Sequence, residues 1–437
     1  MNKILLLFIL LIAGSLSAQT KIVTYYPYER GLERKVHEIY YVLGNDSSRI
    51  DGEFQKYWSN GSLWAIGNFN DGKKEGIFTE YYPDKKLQRE VSYQDGLKEG
   101  EFRVYSPAGK IVQSGIFEKD TLTGKLEVYD DNGVLLNETN FVGGKPDGLV
   151  KAYYPEGSIK EEITYAKGKP NGTTKEYYQN GTLKSEANYQ DGLLNGFFRT
   201  YYDNGQLDTE SFNISGMKNG SFKSYNSSGV LILDGEYIDG VLDGPNLAYF
   251  DDGTTRHSLK YEEGAKVGKN TYYYESGKPQ KVIDYSNKEK NRTLTLYYEN
   301  GEVKEEQYYS EDKKNQTWKT YYDNGAVQSS TIYLNGNKNG SQKEFYKSGS
   351  LKSQTNFEND QIMGSVMGYF ENGTIAYDIP HKGGKRQGLA NYFHENGQVK
   401  ESGHFAGNRK VGDWKTFDQD GQLIQTEVYK KGVKTNQ

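Results

Sequence analysis

The chain has no cysteine, so no disulfide can staple it and no lipidated cysteine can tether it. Tryptophan occurs four times and proline nine times, and only 35% of the 437 residues are hydrophobic. Past residue 20 no apolar run is long enough for the core of a compact enzyme of this size. Basic charge is also short, with 54 Lys and Arg against 59 Asp and Glu, net −5. No basic stripe is present to take nucleic acid or an anionic lipid surface. What the chain has in excess is glycine, 51 residues, and tyrosine, 39.

Those residues recur with a fixed period. Stepping by 24 from Gly52 lands on glycine at 76, 100, 124 and onward to Gly412, with Arg292 and Gln316 as the exceptions, which makes 16 copies with no insertion. Five residues after each anchor stands an aromatic, Tyr in all copies but Phe345, Phe393 and Phe417. Nine after it stands glycine, except at Lys85; eleven after it an aliphatic residue is the rule, and seventeen after it an aromatic. An unbroken period of this length marks a repeat architecture, although length alone would suggest two or three domains. The regular aromatics and turn glycines also outweigh the polar composition that would otherwise suggest disorder.

Strand-forming residues bounded by Asn-Gly or Asp-Gly read as hairpins. In Tyr154-Pro155-Glu156-Gly157 and Tyr82-Pro83-Asp84-Lys85, proline sits where a type I turn needs a preset φ, and the residue two later takes a left-handed conformation. That pattern is a three-residue loop with a glycine bulge; Asn180-Gly181 alone would also suit a two-residue primed turn. The three-residue form is favoured because proline recurs at its first position. It pairs Tyr177 with Leu183, and simple alternation then brings Tyr189 to the same face. Tyr178 and its equivalents point the other way, with Phe198 and Phe222. The expected fold is all-β: an elongated single-sheet solenoid of about 16 tandem 24-residue hairpins, stabilised by neighbour-to-neighbour aromatic ladders. With some 32 strands at about 4.8 Å spacing it would run on the order of 150 Å, twisted along its length.

Three segments divide the chain. Residues 1–18 read as a secretory signal peptide: Lys3, the apolar stretch Ile4 to Ala13, then Ser15-Leu16-Ser17-Ala18, with cleavage after Ala18 or Ser17. Export to the periplasm, the cell surface or the medium is the expectation. Residues 19–51 form an irregular N-terminal cap in which Tyr25-Tyr26-Pro27 imitates the repeat and Glu38 to Leu43 closes the edge of the first hairpin. Residues 52–437 are the array, ending in a short polar tail. Within it, Lys288-Glu289-Lys290-Asn291-Arg292 and Glu311-Asp312-Lys313-Lys314-Asn315-Gln316 replace both connecting glycines in consecutive copies. They should lie side by side, either as drift in a tolerant loop or as a partner-specific patch.

Catalytic chemistry finds little support. His381, His394 and His404 cluster near the end but occupy different repeat positions, so no metal-ligand motif forms. Glu161, Glu162, Glu305 and Glu306 read as exposed sheet charges rather than acid–base pairs. No Gly-x-Ser-x-Gly elbow occurs, and no helix follows the glycines to cradle phosphate. The expectation is a non-enzyme without cofactor or metal.

The string Tyr-x-x-Gly-x-x-x-Gly-x-Phe-x-x-Tyr-Tyr-x-x-Gly-x-Leu, around Tyr93 to Ile111 and Tyr189 to Leu207, resembles the MORN repeat. Its Asn-Gly-x-Leu turn is similar to the bacterial MORN repeat variant, which also occurs in a class of antitoxins. The resemblance covers residues 52–437 and implies a hairpin-repeat sheet with a non-catalytic, protein-binding role. With a signal peptide in front, that role moves to the envelope side, as a scaffold or an immunity-like neutraliser of a partner. The expected contact residues are the second aromatics Tyr154, Tyr178, Tyr202, Tyr298 and Tyr322, which offer large rigid surfaces. A second reading has the same rings stacking on the sugars of a cell-wall or extracellular glycan.

Overall fold

The computed structural model describes residues 19–27, 33–44, 46, 48–287 and 289–435; the segment read as a signal peptide lies outside them. Among the described residues there are thirty-eight strand segments and no helix. Sixteen hairpins account for thirty-two strands. Three first strands are split, as at Lys145–Pro146 and Gly148–Tyr153, the lead-in adds two strands, and Val433–Lys434 adds one. The chain divides into two compact units, Met1–Gln206 with Asn213–Gly216, and Leu207–Phe212 with Met217–Gln437. Within each, successive strands pair antiparallel in chain order, an all-β series of stacked hairpins.

One hairpin explains the rest. Lys169–Tyr177 and Leu183–Gln190 pair with Tyr177 opposite Leu183. The Tyr178 N–H donates to the Thr182 carbonyl at 2.8 Å and the Gly181 N–H to the Tyr178 carbonyl at 2.9 Å. With Gly181 at φ +83° this is the three-residue loop with a glycine bulge. Tyr154-Pro155-Glu156-Gly157 closes the same way, and in Tyr82-Pro83-Asp84-Lys85 the lysine itself takes φ +71°. The next reversal differs: Gln190 pairs with Leu193, and Asp191 and Gly192 between them have φ +52° and +88°. Positive φ at both central residues is the primed turn that matches strand twist.

The face of Tyr189 corrects the alternation argument. Beyond the Tyr177–Leu183 pair the register shifts, so Glu176 faces Ser185 and Lys184 is an extra, bulged residue. The bulge resets the two-residue period, and Tyr189 ends opposite Gly172, five residues from Tyr177 along the first strand. Tyr189 therefore lies on the face away from Tyr177 and Leu183.

The anchor glycine has its own physical reason. Ala187 pairs with Phe198 and Tyr189 with Leu194, so the first strand carries two extra residues around Gly196, which bulges at φ +116°. The copy that starts at Arg292 shows the converse. There Lys281 to Ser286 pair with Leu296 to Asn291 without any shift, and the turn before them takes up the surplus residues. An arginine at negative φ goes with an unbulged strand, and the overall period is kept.

The lead-in adds two strands to the sheet. Gln19–Tyr25 pairs with Val36–Leu43, and the latter with Ile50–Tyr57. Strand closure of the first hairpin's edge is thus as expected. Val42 is 1% exposed, and the Tyr26 hydroxyl donates to the Tyr57 carbonyl at 2.7 Å.

Burial in each unit belongs to the face that carries Tyr189. In the first unit the rings of Phe69, Phe78 and Tyr93 follow one another edge-on at 5.3 and 5.2 Å, and Phe102 meets Phe117 at 4.9 Å. In the second, Tyr309, Trp318 and Tyr333 are spaced at 5.1 and 5.2 Å, and Phe405 and Trp414 pack with Ala390. The ladders are built from the residues two and seventeen after the anchor, joined within a copy (Phe78–Tyr93, Phe102–Phe117, Trp318–Tyr333) and from one copy to the next (Phe69–Phe78, Tyr309–Trp318, Phe405–Trp414). Lysines two residues before the anchors roof these rings: Lys74 over Phe78 and Tyr93, Lys314 over Trp318 and Tyr333, Lys410 over Trp414. Cation–π attraction lets their stems cover apolar surface while the charge stays at the rim. Burial pushes the Lys74 and Lys218 ammonium groups below the usual lysine range.

Candidate interaction surfaces

On the Tyr177 face the first aromatics are bound into a charged lattice. The hydroxyl of Tyr177 donates to Glu162 at 3.1 Å, Tyr153 to Glu138 at 3.0 Å, Tyr201 to Glu186 at 3.1 Å and Tyr321 to Glu306 at 2.6 Å. Basic neighbours complete the rows: Lys125 bridges Glu127 and Glu138 at 2.8 Å each, and Arg199 meets Glu186 at 3.1 Å. Burial, aided by the neighbouring glutamate, pushes Tyr153, Tyr177 and Tyr321 above the ordinary phenol range. Hydrogen bonds from Lys125 hold Glu127 and Glu138 below the ordinary carboxyl range. These carboxylates are kept charged, the opposite of what a proton donor at neutral pH requires.

The second aromatics fasten consecutive hairpins. Tyr154 donates its hydroxyl to the carbonyl of Tyr177, Tyr178 to Tyr201 and Tyr298 to Tyr321, all at 2.8 Å, and Tyr322 to Phe345 at 2.9 Å. Trp58 does the same with its indole N–H toward Tyr81, and His394 through Nε2 toward Phe417. All five predicted contact residues, including Tyr202, are half-buried at the turn that closes their own hairpin. The structure places them at the same register in successive copies but within separate units. Turn asparagines add a second rung: Asn180 accepts from the Thr182 N–H and donates to the Asp203 carbonyl.

This hairpin is a known repeat. Ten copies match the family model for the MORN repeat variant, over residues 50–71, 74–95, 122–142, 146–167, 170–191, 266–287, 293–311, 338–359, 386–406 and 410–431. The chain belongs to the MORN repeat variant family. No curated protein sequence matches it. Among solved structures, TcdB2-TccC3 without its hypervariable C-terminal region matches at 13% identity over 94% of this chain and 24% of that one, TM-score 0.15. The Photorhabdus luminescens Tc holotoxin pore matches at 10% identity over 94% and 30%, TM-score 0.12. The MORN chain thus spans about a quarter of the length of the TcdB2-TccC3 structure.

One surface feature, present in each unit of the MORN array, had no sequence signal. From Ile77 to Leu334, every large apolar residue that is exposed among the described residues stands at one of four repeat positions. These are three residues before the anchor (Leu97, Leu193, Met217, Val241), one after it (Ile77, Leu149, Phe197), sixteen after it (Ile116, Ile332) and eighteen after it (Val142, Ile214, Ile238, Leu334). Cross-strand pairs such as Leu149 with Thr164, and Ile238 with Val241, put all four on the Tyr177 face, at the end nearest the primed turns. Each position is apolar in only some copies, which is why it is invisible when the copies are read for their invariant residues.

The other candidates resolve locally. His381 contacts its own strand at the Ile379 carbonyl, His394 the Phe417 carbonyl, and the His404 carbonyl accepts from Trp414. Among the described residues no three metal-ligating side chains converge. The two glycine-free loops do lie side by side: Lys290 meets Glu311 at 3.9 Å, Arg292 pairs with Asp312, and the Asp312 N–H donates to the Lys290 carbonyl at 3.0 Å.

Proposed function

We infer that this MORN repeat protein is a non-catalytic scaffold that binds a partner protein outside the cytoplasm, with neutralisation of that partner as its biological role. The observation that carries this reading is that, within each unit and from Ile77 to Leu334, the exposed Leu, Ile, Val, Met and Phe are confined to four repeat positions at one end of the Tyr177 face. A single exposed aliphatic residue is ordinary; a row of them at fixed repeat positions is what a protein interface offers. The fitting partner presents apolar side chains spaced about 10 Å apart, two strand widths, flanked by charges that complement the Glu and Lys rows beside them. The rings of Tyr154, Tyr178, Tyr202, Tyr298 and Tyr322 remain available to a partner as flat half-buried surfaces; the hydroxyls of Tyr154, Tyr178, Tyr298 and Tyr322 are engaged by the neighbouring hairpin. Export rests on the leader at residues 1–18.

The test is site-specific photo-cross-linking in the native cell, with the reactive residue at Leu149 or Phe197 and, as control, at Lys160. One protein captured at the first two positions and not at the third supports the scaffold. Equal capture everywhere, or none, would remove it. The N-terminus of the purified protein tests export separately. Gln19 or Ala18 as its first residue supports cleavage, and Met1 retained in a cytoplasmic fraction overturns it.

A further inference from the structure

Two grooves in the second unit share one construction. One, of about 310 Å³, is lined by Thr320, Tyr322, Gln328, Ser329, Glu344, Phe345 and Lys352. The other, of about 240 Å³, is lined by Tyr274, Gln280, Lys281, Leu296, Tyr297 and Lys304. In each, the second aromatic of a hairpin is the floor, a glutamine from the same hairpin is one wall, and a lysine from the following hairpin is the other. The floor is rigid, because the Tyr322 hydroxyl is bonded to the Phe345 carbonyl and that of Tyr274 to the Tyr297 carbonyl.

The recurrence follows a longer period than the fold needs. Twelve residues after the anchor, four consecutive copies carry Gln280, Lys304, Gln328 and Lys352, an alternation with a 48-residue repeat. Over Tyr298 and Tyr346 the lysine of the same hairpin sits 5.6 and 5.7 Å from the ring centre. The first hairpin of the array shows a still tighter roof, Trp64 stacked on Trp58 at 4.4 Å. Tyr274 and Tyr322 have a glutamine at the roofing position, and these are the floors of the two grooves. Four strand widths separate them, about 19 Å.

We propose that Tyr274 and Tyr322 are two subsites for one extended oligosaccharide, each stacking a pyranose ring. A locked aromatic plane suits the apolar face of a sugar. The rim donors, the Gln280 and Gln328 amides and the Lys304 and Lys352 ammonium groups, suit its equatorial hydroxyls. Dominance of polar groups around a single ring favours a hydroxyl-rich ligand over the apolar side chains of a peptide. The site lies on the face opposite the apolar edge assigned to the protein partner and shares with that reading only the Tyr322 ring, so loss of capture at Leu149 and Phe197 and loss of saccharide binding are distinguishable failures.

The experiment is calorimetric titration of the exported chain with hexasaccharides of β-1,4-glucose, β-1,4-N-acetylglucosamine and hyaluronan, and with a proline-rich peptide. Saturable binding of at least one saccharide is expected, weakened about tenfold or more in the Tyr274→Leu/Tyr322→Leu variant. The Tyr274→Phe/Tyr322→Phe variant loses the same inter-hairpin bonds but keeps both rings, so it should bind as the parent does. Three outcomes overturn the proposal: no saccharide bound at millimolar concentration, equal loss in the Phe and Leu variants, or binding of the peptide alone.

Discussion

The hydroxyl of Tyr154 donates to the backbone carbonyl of Tyr177, 23 residues on, at 2.8 Å. Tyr82 to Tyr105, Tyr178 to Tyr201 and Tyr298 to Tyr321 repeat the bond. A half-buried ring thus ends in a donor that satisfies a carbonyl at the close of a strand, where the ladder would otherwise leave it to water. Tyr154→Phe keeps the ring and removes the bond, and should cost about 1 kcal/mol. Hydrogen exchange is the measurement to use, because stability in a repeat protein is local. Faster exchange confined to hairpins around residues 154 and 177, with an unchanged circular-dichroism spectrum, is the expected result. Uniformly faster exchange along the chain would contradict a neighbour-only role.

Gly403 and Trp414 test the ladder. A Cβ on Gly403 would come within 2.2 Å of the Trp414 ring, which is 1% exposed and packs on Phe405. The same repeat position holds Ala187 in another copy, so the requirement comes from the large ring and not from the backbone. Gly403→Ala should therefore cost about 1–3 kcal/mol by overpacking and change the near-ultraviolet tryptophan signal. Ala187→Gly should leave that signal alone.

These positions show what the sequence could and could not reveal. The turn at Tyr154-Pro155-Glu156-Gly157 and the Tyr177–Leu183 pair were legible because proline, glycine and a conserved spacing each have one conformational meaning. The face of Tyr189 was not. The bulge that flips it sits at Lys184, a position filled by residues as different as Lys, Gln, Trp, Ile, Asp and Ala in different copies, so no residue type marks it. The anchor glycines were found as a period, but their role as bulges emerges only from the register around Gly196 and its absence at Arg292. Interaction surfaces were harder still, because invariant residues here build the sheet while variable ones decorate it.

His257 gives the second unit a pH dependence. Its Nε2 lies 3.1 Å from the Asn246 side-chain oxygen, its ring is 5.8 Å from that of Tyr272, and Arg256 and Lys266 are the nearby charges. Burial, reinforced by those two cations, pushes the imidazole below its ordinary value of 6.5. The folded state then holds it neutral, while the unfolded chain takes a proton as pH drops through 6.5. Its contribution is complete above that pH and is lost as pH falls toward the depressed folded value. Denaturation at a series of pH values should show the second unit weakening below about pH 6.5, and His257→Gln should flatten that slope. An identical slope in the variant would assign the effect to other groups.

Gln316 and Arg292 occupy the same repeat position and should respond oppositely to glycine. Gln316 keeps the bulge, at φ +56°, a conformation that costs an ordinary residue about 1–2 kcal/mol. Gln316→Gly should relieve part of that strain and raise stability by about 1 kcal/mol. Arg292 has no such strain: its strand is in register, its guanidinium lies 4.2 Å from the centre of the Tyr309 ring, and it pairs with Asp312 across the adjacent loop. Removing that side chain also frees the strand in the denatured state, since glycine has more conformations to lose on folding. Arg292→Gly should therefore destabilise, although it restores the residue found at this position in most copies of the array. Denaturant titration of the two single variants decides between them. Stabilisation by both would mean that glycine is favoured at the anchor whatever the register, and that the bulge follows from the residue and not from the turn before it.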